Sequence, residues 1–144
     1  MEKQIEELMR AAIEEARAAR TPYGAAIYHP DSGESLVVAN SVGASGDPTA
    51  HAEINAIRAA AARSFPLKGA VLISTCEPCP MCAMAAVWAG IGAICYGATI
   101  DDAARYGRQV KLYCREIAQR AWYELDVRPG LLRQACVELF EQNQ

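Results

Sequence analysis

The 144-residue chain has no basic tail, no internal repeat, no linker and no low-complexity tract, and it has only two histidines. Fourteen Lys and Arg stand against seventeen Asp and Glu, a formal charge of −3. Affinity for a polyanion rests mainly on basic side chains neutralising phosphates, so DNA and long RNA are disfavoured as partners. A secretory signal is also missing. The opening MEKQIEELMRAAIEEARAAR is acidic and amphipathic and lacks the apolar core of a signal peptide, and it carries too many glutamates for a transit peptide. The expectation is therefore a cytoplasmic protein whose six cysteines are thiols or metal ligands rather than a disulfide framework. Between Glu77 and Asp101 there is no charged residue, which is long enough for a membrane span. The stretch is rich in Ala, Gly and Cys, opens on Pro78 and Pro80 and is interrupted by Gly90 and Gly92, so it reads instead as a buried helix, a turn and a buried strand, with no membrane.

The length suits one domain over residues 1–144 with a core of its own. Ile5, Leu8, Met9, Ala12, Ile13 and Ala16 recur at helical spacing and predict a helix over 2–19. Residues 24–28 and 35–39 read as a β-hairpin around His29-Pro30-Asp31-Ser32-Gly33, and 40–48 as loop. A helix over 49–63 follows, with Asp47 and Thr49 as candidate caps. Then come a strand at 70–74, a helix over 80–89 with Pro80 in its first position, and a strand at 93–97 buried on both faces. Asp101 and Asp102 can cap a short turn. Residues 110–120 are expected to be helical, 122–127 a strand, and 131–140 a closing helix. This order implies an α/β fold, a three-layer α/β/α sandwich on a mixed five-stranded sheet.

The chemistry gathers at two helix starts. His51-Ala52-Glu53 opens one helix and Pro78-Cys79-Pro80-Met81-Cys82 opens another. Cys79 falls near the N-cap and Cys82 about one turn in, so both sulfurs can converge beyond the helix end, where the helix dipole also favours thiolate over thiol. With His51 these make three soft or borderline ligands, a set that suits tetrahedral Zn²⁺ with a fourth position left for water or hydroxide. His29 or Cys76 is an alternative fourth ligand, which would make the site structural, and Cys76 with Cys79 is also readable as a redox pair. A redox pair leaves the upstream His-x-Glu unexplained. Paired His-x-Glu and Pro-Cys-x-x-Cys motifs are the known signature of zinc nucleobase deaminases, in which the glutamate is the acid/base and not a ligand. That role falls to Glu53.

At these residues the chain resembles the cytidine deaminase-like superfamily. Asp47-Pro48-Thr49-Ala50-His51-Ala52-Glu53-Ile54 and Cys76-Glu77-Pro78-Cys79-Pro80-Met81-Cys82 look like the branch that holds guanine deaminases, fungal-type cytosine deaminases and tRNA adenosine deaminases. The resemblance implies the same α/β/α sandwich, one Zn²⁺ per chain on His51, Cys79 and Cys82, and hydrolytic removal of an amine from a heteroaromatic ring. It further implies substrate contacts at Asn40, at Trp88, at Asp102 and at Tyr23, and the amides of Ala52 and Cys79, both near helix starts, are candidates to hold the base or the zinc-bound oxygen. For Asn40 the alternative is a turn residue, for Trp88 a core residue, and for Asp102 a helix cap.

Two departures from the branch bear on substrate. The usual double glycine before the first strand is replaced by Arg20-Thr21-Pro22, and Gly107 is followed by Arg108 and Gln109 where relatives carry an aromatic and acidic pair. Guanine, cytosine or an amino-triazine all remain open as the small-molecule substrate. Adenosine in tRNA is the alternative, disfavoured by the acidic charge and by the closing Leu139-Phe140-Glu141-Gln142-Asn143-Gln144. A structural zinc module is the alternative outside enzymes. The family habit points to a homodimer with pockets near the interface.

Overall fold

The computed structural model describes residues 1–144. Helix α1, Glu2–Ala18, places Ile5, Met9, Ala12, Ile13 and Ala16 on one buried stripe, as their spacing requires. Strands β1, Gly24–Tyr28, and β2, Ser35–Ala39, form an antiparallel hairpin. The path continues through α2, Val42–Ser45, α3, Ala52–Ala62, β3, Val71–Cys76, α4, Pro80–Ala89, β4, Ala93–Ala98, and α5, Ile100–Ala104. It ends with α6, Cys114–Gln119, β5, Asp126–Arg128, and α7, Arg133–Gln142. The sheet order is β2-β1-β3-β4-β5, with β1 antiparallel to both neighbours and β3, β4 and β5 mutually parallel.

Alternation along the strands divides the core into two layers. Ala25, Ile27, Leu72, Ile94 and Tyr96 face a cluster built with α3, α4 and α6. Ala26, Tyr28, Val71, Ile73, Ala93 and Cys95 face a second cluster built with α1 and α7. The result is the three-layer α/β/α sandwich on a mixed five-stranded sheet. Two glycines permit its close contacts: a Cβ on Gly24 would overlap the Ala12 carbonyl of α1, and one on Gly97 would overlap Cys136 Sγ of α7. No helix is long and apolar enough to cross a membrane, and the uncharged stretch after Glu77 is α4, a turn and β4.

Several local expectations are corrected. Residues 42–45 form one helical turn, because Asn40 Oδ1 accepts the Val42 amide at 2.9 Å and Gly46 closes the turn at φ +75°. Helix α3 starts at Ala52 with His51 as its N-cap. The Asp47 carboxylate instead accepts the amide and hydroxyl of Thr49, at 2.9 and 2.7 Å, in the turn ahead of it. Residues 110–113 are irregular rather than helical: Glu116 accepts the Tyr113 amide at 3.1 Å, which makes Tyr113 the N-cap and starts α6 at Cys114. Of the expected strand at 122–127 only Asp126 and Val127 pair, joined by Arg128.

Candidate metal centre and active site

The loops that follow the sheet bring two helix starts together. His51 caps α3 and Cys79 caps α4, both with extended backbone, and neither side chain is spent on its own helix end. Cys82 lies in the first turn of α4, fully buried. Pro80 at the first helical position fixes the entry of α4 without losing a hydrogen bond. His51 Nδ1 is 3.6 Å from Cys79 Sγ and 3.5 Å from Cys82 Sγ, and the three donor atoms lie within 4.8 Å of one another.

These distances test the fit to zinc. Zn–S and Zn–N bonds of about 2.3 and 2.0–2.1 Å at a tetrahedral angle put nitrogen and sulfur about 3.6 Å apart. The observed spacing matches this, and the donor set of one imidazole and two thiols is the set zinc selects. Neither of the other sequence candidates for a fourth ligand joins the three converging donor atoms, although Cys76 lines the same cavity. His29 Nε2 meets the Lys68 carbonyl at 3.0 Å, and Cys76 Sγ faces the Thr99 carbonyl at 3.9 Å. The thiols themselves are primed unequally: hydrogen bonding from Cys82, then from His51, holds Cys79 down to about 4, while Cys82 is pushed far up by the proton it shares with Cys79 and by burial. Contact with Cys79 raises His51.

Glu53, one residue inside α3 from Ala52, is 5% exposed, and burial pushes its carboxyl up to about 7. It shares a cavity of about 350 Å³ with His51, Cys79, Tyr23 and Asn40. Burial likewise raises the Tyr23 hydroxyl to about 12, so it stays protonated. Ala52 is fully buried between His51 and Glu53, behind the cavity wall rather than on it.

Two residues expected to contact substrate, Trp88 and Asp102, do not line this cavity. Trp88 is 78% exposed on the outer face of α4, its ring 5.1 Å from that of Trp122 and tilted by 56°, because the helix buries Cys82, Ala83, Ala86 and Val87 instead. Asp102 sits at the third position of α5. It accepts the Thr99 amide at 2.9 Å and the Arg133 guanidinium at 2.9 and 2.8 Å, and Arg133 holds its carboxyl down to about 2. Its two oxygens serve α5 and α7, away from the metal-ligand cavity.

Some lining residues carry no motif. Arg108, Gln109 and Val110 line the cavity from the irregular segment before α6. Glu77 lines it too. Its Oε1 accepts the Ile100 amide and its Oε2 the Cys114 amide, each at 2.9 Å, so one buried carboxylate ties the metal-ligand loop to the first residues of both α5 and α6. An isolated charge at the head of an uncharged run was the signal available for it.

Fold and site together define an α/β/α domain with a His/Cys/Cys metal centre and a buried carboxylic acid beside it. Residues 2–98 match the family model for the cytidine and deoxycytidylate deaminase zinc-binding region, and the chain belongs to that family. Over 105 residues it is 39% identical to the guanine deaminase of Bacillus subtilis, a match over 69% of this chain that spans 65% of that enzyme's length. Over 143 residues it is 34% identical to the tRNA-specific adenosine deaminase of Agrobacterium fabrum, covering 93% of this chain and 90% of that protein. A crystal structure of a mutant protein in complex with 8-azaguanine superposes with a TM-score of 0.84 at 28% identity, covering 96% of this chain and 84% of that one.

Proposed function

We propose that the protein is a zinc-dependent hydrolytic deaminase of a free nucleobase or similar amino-substituted heteroaromatic ring. The observation that carries this reading is the convergence of His51, Cys79 and Cys82 in the cavity that also holds buried Glu53. His51, Cys79 and Cys82 would hold zinc, which would supply Lewis-acid activation of water, lowering the pKa of that water toward about 7. Glu53 accepts one proton from the attacking water and passes it to the ring nitrogen beside the reacting carbon, then takes the second proton from the newly bound oxygen and passes it to the departing amine. A C–O bond forms, the C–N bond breaks, one water is consumed and ammonia leaves. Burial raises the Glu53 carboxyl above the usual carboxylate range, which suits it to accept and return protons. Tyr23 and Asn40 border the ring site. Similarity to a guanine deaminase and to a structure holding 8-azaguanine supports a base-sized substrate. An ammonia-release screen over guanine, cytosine, isocytosine, adenine, their nucleosides, pterins and amino-triazines tests the reading. Release from at least one free ring is expected, and silence from every ring contradicts it.

The second reading is deamination of adenosine to inosine in tRNA, favoured by the nearly full-length similarity to the tRNA-specific adenosine deaminase. The charge of −3 opposes it. Inosine formed in tRNA by the purified protein, with no release from free rings, would replace the first reading with this one.

The chain is proposed to act as a homodimer in the cytoplasm. All six cysteines are free, which fits a reducing compartment. Six of its seven exposed large hydrophobic residues, Met81, Met84, Trp88, Val110, Leu112 and Trp122, run in one strip from the cavity rim along α4. Arg58, Glu116 and Arg120 flank that strip with both signs of charge, so a second copy across a two-fold axis offers complementary partners. Light scattering is expected to give twice the chain mass for the wild type and the monomer mass for Trp88→Glu. A monomeric wild type contradicts the dimer.

A further inference from the structure

Arg108 lines the metal-ligand cavity, yet it joins none of the chain's ion pairs or side-chain hydrogen bonds. Nearly every other polar group there is committed. Both Glu77 oxygens accept backbone amides, Asn40 Oδ1 accepts the Val42 amide, and Glu53 adjoins the ligand set. Gln109 lies beside the Tyr23 hydroxyl. An arginine on a surface loop is ordinarily a solvated side chain, but this loop is fixed at its C-terminal end. Glu77 accepts the Cys114 amide, the Tyr113 hydroxyl donates to Asp101 at 2.8 Å, and Lys111 pairs with the same carboxylate at 3.6 Å.

We propose that Arg108 determines substrate specificity by donating its guanidinium N–H pair to an acceptor edge of the ring, an oxo group beside a ring nitrogen, remote from the reacting amine. The inference rests on the ring-deaminase reading and deepens it. A ring in this cavity with its amine directed at Glu53 and the metal ligands leaves its remaining edges to the other lining residues, of which Arg108 is the cation without a partner. A carboxylate there would select N–H groups. A guanidinium selects oxygen and unprotonated nitrogen, and its planar fork matches an adjacent pair such as O6 and N7 of a 6-oxopurine. The cavity is then polarised, with acidic groups at the amine end and one cation at the acceptor end. Substrates bearing an oxo group on the outer edge are favoured over analogues carrying an amine in its place.

Guanine and 2,6-diaminopurine share one ring system and differ at that position in having an oxo or an amino group. Equilibrium dialysis of each against zinc-loaded Glu53→Gln protein, which blocks turnover, and against Glu53→Gln/Arg108→Ala measures the preference and its dependence on Arg108. Guanine is expected to bind about tenfold or more tightly in the first protein, with the ratio falling to within about twofold in the second. Thermal melts are expected to coincide, because Arg108 is exposed and unpaired. An unchanged ratio, an equal loss for both bases, or a preference for 2,6-diaminopurine overturns the assignment. The wild-type ammonia assay separates the two readings. Ammonia release combined with a ratio indifferent to Arg108 sinks only this inference, whereas an Arg108-dependent ratio without release from any ring sinks only the deaminase reading. Failure of both bases to bind overturns the Arg108 assignment, while ammonia release from any other ring keeps the deaminase reading.

Discussion

Replacing Asp102 with asparagine separates a structural role from a substrate-reading one. The carboxylate is 7% exposed and joins the start of α5 to Arg133 of α7 through three hydrogen bonds of 2.8–2.9 Å. A carboxyl held near 2 instead of 3.8 contributes at most about 2 kcal/mol at neutral pH. The Arg133 side chain is 57% exposed, and solvent screening reduces this to about 1–2 kcal/mol. Asparagine keeps the shape but loses the charge and turns an amide N–H₂ or a weaker acceptor toward the guanidinium. For a chain of this length the melting temperature is expected to fall by about 3–7 °C at pH 7. The folded pKa lies below the unfolded one, so the contribution is complete above about pH 4 and is lost as pH falls through about 2. The gap between wild type and variant should therefore close toward pH 2. At pH 7 and 25 °C, kcat/KM on whichever ring is turned over should stay within about twofold. An unchanged melting temperature together with a hundredfold loss of kcat/KM would refute the pairing and return Asp102 to the substrate.

Other perturbations reach the metal centre and the packing of α7. Cys79→Ser is expected to lower the zinc-to-protein ratio measured by atomic emission, because a serine hydroxyl is a poor substitute for a thiolate. A ratio unchanged from the wild type removes Cys79 from the ligand set. Gly97→Ala places a Cβ into Cys136 Sγ and 2.9 Å from the Leu131 carbonyl, so α7 must shift from the sheet at a cost of about 1–3 kcal/mol. Denaturant unfolding measures that cost. Cys136→Ala in the same chain should recover part of it, and full stability of the single variant would contradict the close approach.

The sheet was legible because period-2 alternation and buried apolar runs determine which strands lie inside, and α1 because its stripe repeats at 3.6 residues. Convergence of His51, Cys79 and Cys82 was legible because both motifs lie at helix starts, where the backbone directs side chains past the helix end. Segment 108–113 was not. Its Val110 and Leu112 are exposed, and its path depends on Glu77, thirty-seven residues before Cys114. Trp88 misleads for the same reason, since an uncharged helix has no polar face to mark which side meets solvent. Asp102 satisfies a capping pattern and a family position at once, and only its contact with Arg133 distinguishes them.

The central claim is that the three converging ligands and Glu53 form one hydrolytic centre. Titrating zinc into chelator-stripped protein while recording bound metal and ammonia release tests it most directly, with Glu53→Gln run in parallel. The account predicts that ammonia release saturates at one zinc per chain, and that Glu53→Gln binds the same single zinc while losing about 10²–10⁴-fold in rate. Full release without zinc, or undiminished turnover by Glu53→Gln, would contradict it.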